Sequence, residues 1–134
     1  MEIERKYLID QPPAGYDSHP SRAIEQAYLC TEPVVRVRKE DDSYYLTYKG
    51  KGLMAREEYN LPLTREAYLH LLSKADGNIL TKRRYLIPLE GTELTVELDV
   101  FSGKFQGLVL AEVEFPDQAS ADAFLPPAWF GREV

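Results

Sequence analysis

The sequence predicts a mainly β fold of the α+β class, an eight-stranded antiparallel β-barrel with a few short helices packed outside. Three observations predict it. Eight short stretches alternate apolar and polar residues at a spacing of two, the period of a strand. Turn residues (Asp41-Asp42, Gly50 with Gly52, Gly91, and Gly103 with Gly107) join them closely enough for antiparallel pairing. The polar positions carry Glu, Asp, Lys and Arg far more often than Ser, Thr or Gln.

The first strand is placed at 2–9. Glu2, Glu4 and Lys6 share one face of it, and two carboxylates side by side repel unless a cation stands between them. A lysine one step further along that face suits a phosphate, so the opening suggests a metal held against a polyphosphate. Residues 11–20 are rich in Pro, Gly, Asp and Ser and read as a loop. Strands follow at 23–30, 34–40, 43–49 and 54–61. The third sets Arg36 and Arg38 opposite Val35 and Val37. The fourth sets Thr47 and Lys49 opposite Leu46 and Tyr48, and the fifth puts Arg56 and Glu58 on one face.

A helix is expected over Arg65–Ala75, with Thr64 as its N-cap and Gly77 just past its end. Strands at 79–88, 92–101 and 108–115 carry Lys82 with Arg84, Glu97 with Asp99, and Glu112 with Glu114. A second helix, Gln118–Leu125, starts from Asp117 and stops at Pro126-Pro127.

An antiparallel sheet with one wet face, laced with surface ion pairs, gives the same alternation strand by strand. The distribution argues otherwise. Acids gather on the first, seventh and eighth strands and bases on the third, fourth and sixth. A barrel of eight strands is wide enough for one small ligand. Inward charges are expensive unless paired or coordinated, so such a barrel would hold a divalent cation and an anion. Apolar outer strand faces then need cover that two short helices cannot fully supply. A homodimer, or cover missing from the chain, is the expectation.

The 134 residues fit one domain and a real core. A net charge of −6 argues against a surface that coats nucleic acid. Cys30 is alone, the amino terminus has no apolar signal-like region, and no run is long enough to span a membrane. A cytoplasmic protein with no membrane partner is expected. His19, His70 and Cys30 read as surface or packing residues, and the lack of a Cys–His cluster argues against zinc.

Glu2-Ile-Glu-Arg-Lys6 resembles the E-x-E-x-K signature of the CYTH superfamily, the triphosphate tunnel metalloenzymes. Arg36-Val-Arg38, Leu46-Thr-Tyr-Lys49-Gly50, Arg56-Glu-Glu58, Lys82-Arg-Arg84-Tyr85, Glu97-Leu-Asp99, Glu112-Val-Glu114 and the ending Trp129-Phe-Gly-Arg-Glu-Val134 follow in that family's order. The likeness is to its short, single-domain bacterial members. It implies an eight-stranded tunnel that binds a triphosphate and needs Mg²⁺ or Mn²⁺. It implies that Glu2, Glu4 and Glu114 hold the metal, with Glu112 and Asp99 assisting or holding a second ion. Lys6, Arg36, Arg38, Lys49, Arg56, Lys82 and Arg84 would line the phosphate path. Glu58 or Asp99 would orient the attacking water, and Lys6 would act on a proton only if burial lowered its pKa. Members usually continue past the Trp-Phe-Gly segment with an acidic tail and a final helix. This sequence stops at Val134, so a single domain over 1–134 without that tail is expected.

The function expected is a metal-dependent triphosphate hydrolase acting on tripolyphosphate or a nucleoside triphosphate such as ATP. The alternatives are an adenylyl cyclase of class IV type and a non-catalytic binder of polyphosphate.

Overall fold

The computed structural model describes residues 1–134. In chain order its elements are β1 (Glu2–Leu8), β2 (Ser21–Thr31), β3 (Val34–Glu40), β4 (Ser43–Lys49), β5 (Ala55–Arg56), β6 (Glu58–Pro62), α1 (Arg65–Leu72), β7 (Asp76–Pro88), β8 (Thr95–Ser102), β9 (Val109–Glu114) and α2 (Gln118–Ala123). Single 3₁₀ turns sit at Tyr16–Ser18 and Gly103–Phe105.

All nine strands form one antiparallel sheet in the order β5-β1-β9-β8-β7-β2-β3-β4-β6. The two outermost strands, β5 and β6, are separated in sequence only by Glu57. The stretch expected as one strand over 54–61 thus changes partners midway, zipping to β1 before Glu57 and to β4 after it. That switch nearly closes the sheet into a barrel and raises the count from eight to nine. Gly52 makes the approach to β5 sharp. Its φ is +137°, and a Cβ there would fall 2.3 Å from the Ala55 carbonyl oxygen, so only glycine fits.

Thr64 and Asp117 cap their helices as expected, accepting from the Ala67 and Ser120 amides at 3.1 Å and 2.7 Å. α1 ends earlier than the sequence suggests. After Leu72 it tightens, with Lys74 N donating to Leu71 O and Ala75 N to Leu72 O, and Asp76 already pairs with Tyr28 across the β2–β7 ladder. Gly77 is therefore no helix cap. It sits at φ +77° where the pairing skips between Gln26–Leu80 and Tyr28–Asp76, which is a bulge in β7. Strand pairing there overrides helical propensity.

The apolar core lies outside the barrel wall. Tyr7, Val96, Leu98, Ala111 and Val113 point outward from β1, β8 and β9 and pack against Ala121 of α2. Phe124, Trp129 and Phe130 of the C-terminal segment lie over them. That segment also pairs with the edge of β1 that the short β5 leaves bare. Gly131 N donates to Leu8 O, Leu8 N to Arg132 O and Val134 N to Lys6 O. α1 covers the far side, burying Tyr68 against Tyr44 at 5.2 Å between rings. Most of the cover expected from a second copy thus comes from this chain. Tyr48, Tyr59 and Leu61, on the outer face of β4 and β6, stay exposed. No helix is long and apolar enough to cross a membrane.

Candidate active site

Packing the apolar residues outside leaves the barrel interior to the charges. It encloses a cavity of about 460 Å³ lined by 21 residues. Sheet order gives the cavity two walls. The adjacent strands β1, β9 and β8 supply Glu2, Glu4, Glu114, Glu112 and Glu97, whereas β7, β2, β3 and β4 supply Arg84, Arg22, Arg36, Arg38 and Lys49.

Where β5 and β6 close the barrel, Lys49 stands among three carboxylates. Its Nζ is 2.7 Å from Glu2 Oε1, 3.6 Å from Glu58 Oε2 and 3.7 Å from Glu4 Oε1. Lys49 is the one close partner of Glu2 Oε1, and the contact is poorly aimed for a hydrogen bond. Burial raises the Glu2 carboxyl, with Lys49 working against it. Burial also opposes ionisation of Glu58, but Glu2, Lys49 and Arg36 outweigh it and hold Glu58 below the usual range.

Glu4 and Glu112 form a second carboxyl pair across the β1–β9 ladder. Burial, then the neighbouring Glu112, pushes Glu4 up to about 7. Burial acts on Glu112 too, but Arg84, Lys6 and Lys82 outweigh it and hold Glu112 ionised. Lys6 Nζ stands 3.7 Å from Glu112 and keeps much of its side chain exposed. The two neighbouring carboxyls are thus pushed in opposite directions, Glu4 toward its protonated form and Glu112 toward its ionised one.

Arg84 lies against the acidic wall. It grips both oxygens of Asp99 and reaches Glu97 at 3.1 Å and Glu112 at 3.8 Å. Lys82 holds the same Asp99 at 2.6 Å. Burial lowers the Lys82 ammonium against the pull of Asp99. Asp99 is fully buried and neither it nor Lys82 lines the cavity. By the period of two both face the barrel interior with Glu97 and Arg84, and the Asp99 carboxylate is taken up by Lys82 and Arg84.

The remaining cations are less satisfied. Arg38 donates from Nε and Nη2 to the single Oε1 of Gln26, and its nearest carboxylate is Glu40 at 3.9 Å. Burial, then Arg36 and Arg84, lowers its pKa, a sign of crowded positive charge. Arg36 makes no ion pair, and its Nε is buried without any hydrogen-bond partner. Arg56, paired through the backbone with Glu2, also lines the cavity without an ion pair.

The structure therefore brings Glu2, Glu4, Lys6, Arg36, Arg38, Lys49, Arg56, Glu58, Arg84, Glu112 and Glu114 to one cavity. It adds residues that sequence reasoning did not select: Glu97, Glu40, Tyr45 and Asn60. Each lies two positions from a selected residue or from another inward one. Glu97 precedes Asp99, Glu40 follows Arg38, Asn60 follows Glu58, and Tyr45 precedes Thr47. The period of two carries the signal for all four; Tyr45 and Asn60 lack the charge that marks the other inward positions, and Glu40 is an acid at the end of a basic face.

No three side chains of His, Cys, Asp or Glu converge as a preformed metal cage. The carboxylates come instead as pairs, Glu2 with Glu58 and Glu4 with Glu112. An oxygen-only donor set of this kind fits a hard divalent ion that keeps several waters and takes other ligands from phosphate. The undirected, buried Glu2 Oε1 is the donor such an ion would satisfy.

The chain matches the CYTH domain family model over residues 1–133. It is 38% identical over 136 residues to an inorganic triphosphatase of Nitrosomonas europaea, covering 99% of this chain and 88% of that protein. An inorganic triphosphatase of Acetivibrio thermocellus is 37% identical over 142 residues, covering 99% and 85%. The solved structure of the inorganic triphosphatase NE1496 superposes with a TM-score of 0.70 at 34% identity, over 100% of this chain and 86% of that one. A putative adenylyl cyclase from Hippeastrum, described as dominantly a triphosphatase, shares the fold with a TM-score of 0.62 at 14% identity, over 91% and 83%. A barrel with opposed acidic and basic walls, matched from its first residue almost to its last, makes this chain a member of the CYTH domain family.

Proposed function

We propose that this protein hydrolyses inorganic triphosphate, using a divalent cation, Mg²⁺ or Mn²⁺. The observation that carries the reading is Arg36. An arginine Nε buried without a partner, in a cavity it shares with Arg38 and Arg56, is a donor waiting for an anion. The two relatives named inorganic triphosphatase support the same substrate.

In this reading Arg36, Arg38 and Arg56 fork onto phosphate oxygens, and Lys6 adds a point charge from the acidic wall. Glu2, Glu4 and Glu112 hold the cation, with Glu114 at the rim. Lys49 now supplies the positive charge among Glu2, Glu4 and Glu58 that the ion would bring, and it turns to the phosphates when the ion arrives. A divalent cation held by these carboxylates would neutralise charge on the phosphate chain and on the departing diphosphate. Glu58, held ionised, accepts a hydrogen bond from water and aims it at the terminal phosphorus. Attack forms the new P–O bond and breaks the one to the departing diphosphate, and the water's proton stays with the phosphate products. Phosphoryl transfer asks for little beyond this positioning and neutralisation. Asp99 fixes Arg84 and Lys82.

The test is phosphate release from tripolyphosphate and from ATP, with Mg²⁺, Mn²⁺ or a chelator. Release from tripolyphosphate that stops with chelator supports the proposal. Cyclic AMP from ATP would support a cyclase, and tight binding without turnover a binder.

A further inference from the structure

One carboxylate stands on the wrong wall. Glu40 is the only acid that the basic strands β7, β2, β3 and β4 contribute to the cavity. It is the last residue of β3, on the same face as Arg36 and Arg38, so that face reads cation, cation, anion toward the β3–β4 turn. Its carboxylate is held in place from three sides. The Tyr45 hydroxyl donates to Oε1 at 3.0 Å, Arg22 Nη1 donates to Oε2 at 3.1 Å, and Arg38 Nη1 stands 3.9 Å away. Arg22 is half exposed, so solvent screens much of what it offers.

The Arg36–Arg38 tract is therefore bracketed by carboxylates. At the Arg36 end are Glu58 and Glu2, whose charge a divalent ion and Lys49 offset. At the Arg38 end is Glu40, whose contacts are with Arg22, Arg38 and Tyr45. An anion that ends at Arg38 meets the Arg36 and Arg38 guanidiniums. One that runs a phosphate further meets Glu40 head-on. Like charge at a contact is a device for refusing the wrong ligand, more than for holding the right one.

We infer that Glu40, held by Tyr45 and Arg22, sets the length of phosphate chain this cavity accepts, rejecting linear polyphosphates longer than the triphosphate. Chain-length selection presupposes the triphosphate hydrolysis proposed above. Tyr45 is a positioning residue, its hydroxyl donating to Glu40 Oε1.

The experiment compares kcat/KM for tripolyphosphate and for linear tetrapolyphosphate in the wild type and in Glu40→Gln, which keeps the size of the side chain and an acceptor for Tyr45. The ratio of tetra- to tripolyphosphate is expected to rise about tenfold in Glu40→Gln, the effect of lifting one like-charge contact. It is expected to stay near the wild-type value in Glu40→Asp, which keeps the charge. Glu40→Ala supplies a second neutral variant if the glutamine protein does not fold. An unchanged ratio in the neutral variants, or an equal loss on both substrates, overturns the inference. Wild-type protein that leaves tripolyphosphate intact would instead overturn the hydrolase reading, so the two failures are told apart.

Discussion

Arg84 and Asp99 meet as a two-pronged fork on the inner face of the barrel, Nε on Oδ1 at 2.8 Å and Nη2 on Oδ2 at 2.9 Å. Lys82 shares Oδ2 at 2.6 Å, so one buried carboxylate answers two buried cations. Removing it leaves both without compensation, which costs more than the pair itself contributes. Asp99→Asn is expected to lose about 3–5 kcal/mol of unfolding free energy, read by urea denaturation. The folded fraction is expected to retain its Mg²⁺ affinity. A large fall in affinity with stability intact would return Asp99 to the metal site.

Arg36 is the reverse case, a group the fold itself does not use. It adds positive charge beside Arg38 and satisfies none of its own Nε capacity. Arg36→Ala is expected to leave thermal stability unchanged or slightly raised. Its kcat/KM for tripolyphosphate should fall about 10–100-fold, the worth of charged hydrogen bonds of about 1.5–3 kcal/mol. Arg36→Lys should recover only part, because an ammonium cannot fork. Equal turnover in all three proteins would remove Arg36 from the phosphate path.

Glu4 trades stability for its site. Its folded carboxyl sits at about 7, above the ordinary 4.5, because it is buried beside Glu112. Between those values the native state binds more protons than the unfolded one, so ionising Glu4 removes stability as pH rises through the window, and the loss is complete above 7. Glu4→Gln lifts this cost. In chelator at pH 8 the variant is expected to be more stable than wild type by on the order of 2 kcal/mol, with the gain vanishing near pH 4.5. Because a carboxylate must be deprotonated to hold a metal, Mg²⁺ should raise the melting temperature of wild type more at pH 8 than at pH 6. The variant should show neither that rise nor turnover. Thermal unfolding at the three pH values, with and without Mg²⁺, checks each sign.

The barrel was legible in the chain because one rule, alternation, ran through every strand. Outward Val96, Leu98 and Val113 pin the register, and a slip of one residue would have turned Glu97, Asp99 and Glu112 into the core. Local pattern could not show two things. The partner switch at Glu57 depends on β1 and β4 arriving from distant parts of the sequence. The engagement of Asp99 depends on Arg84, its direct partner across the β7–β8 ladder, and on Lys82 two residues away. Glu112 and Asp99 look alike in sequence, each a buried acid on an alternating strand, and only their partners separate a cavity residue from a buttress. Glu40 was legible by period and hidden by sign, being acidic at the end of a basic face.

Arg5 and Glu133, 128 residues apart, close the C-terminal segment over β1. Arg5 Nε and Nη2 donate to the two Glu133 oxygens at 2.9 Å and 2.6 Å. The pair alone is a surface contact, since Glu133 is well exposed, and Glu133→Ala should cost about 0.5–1 kcal/mol. Arg5 does more. Its Nη1 donates to the Ala121 carbonyl at 2.8 Å, and its guanidinium stands 5.6 Å from the Tyr7 ring centroid and 6.0 Å from that of Phe124. Adding a hydrogen bond and cation–π contacts, Arg5→Ala should cost about 2–3 kcal/mol. A double-mutant cycle by urea denaturation isolates the shared part. Equal costs for the two single variants would mean that the clasp is the ion pair and nothing more. A larger cost at Arg5 would mean that it fastens α2 and the aromatic cover to the strand bearing Glu2, Glu4 and Lys6.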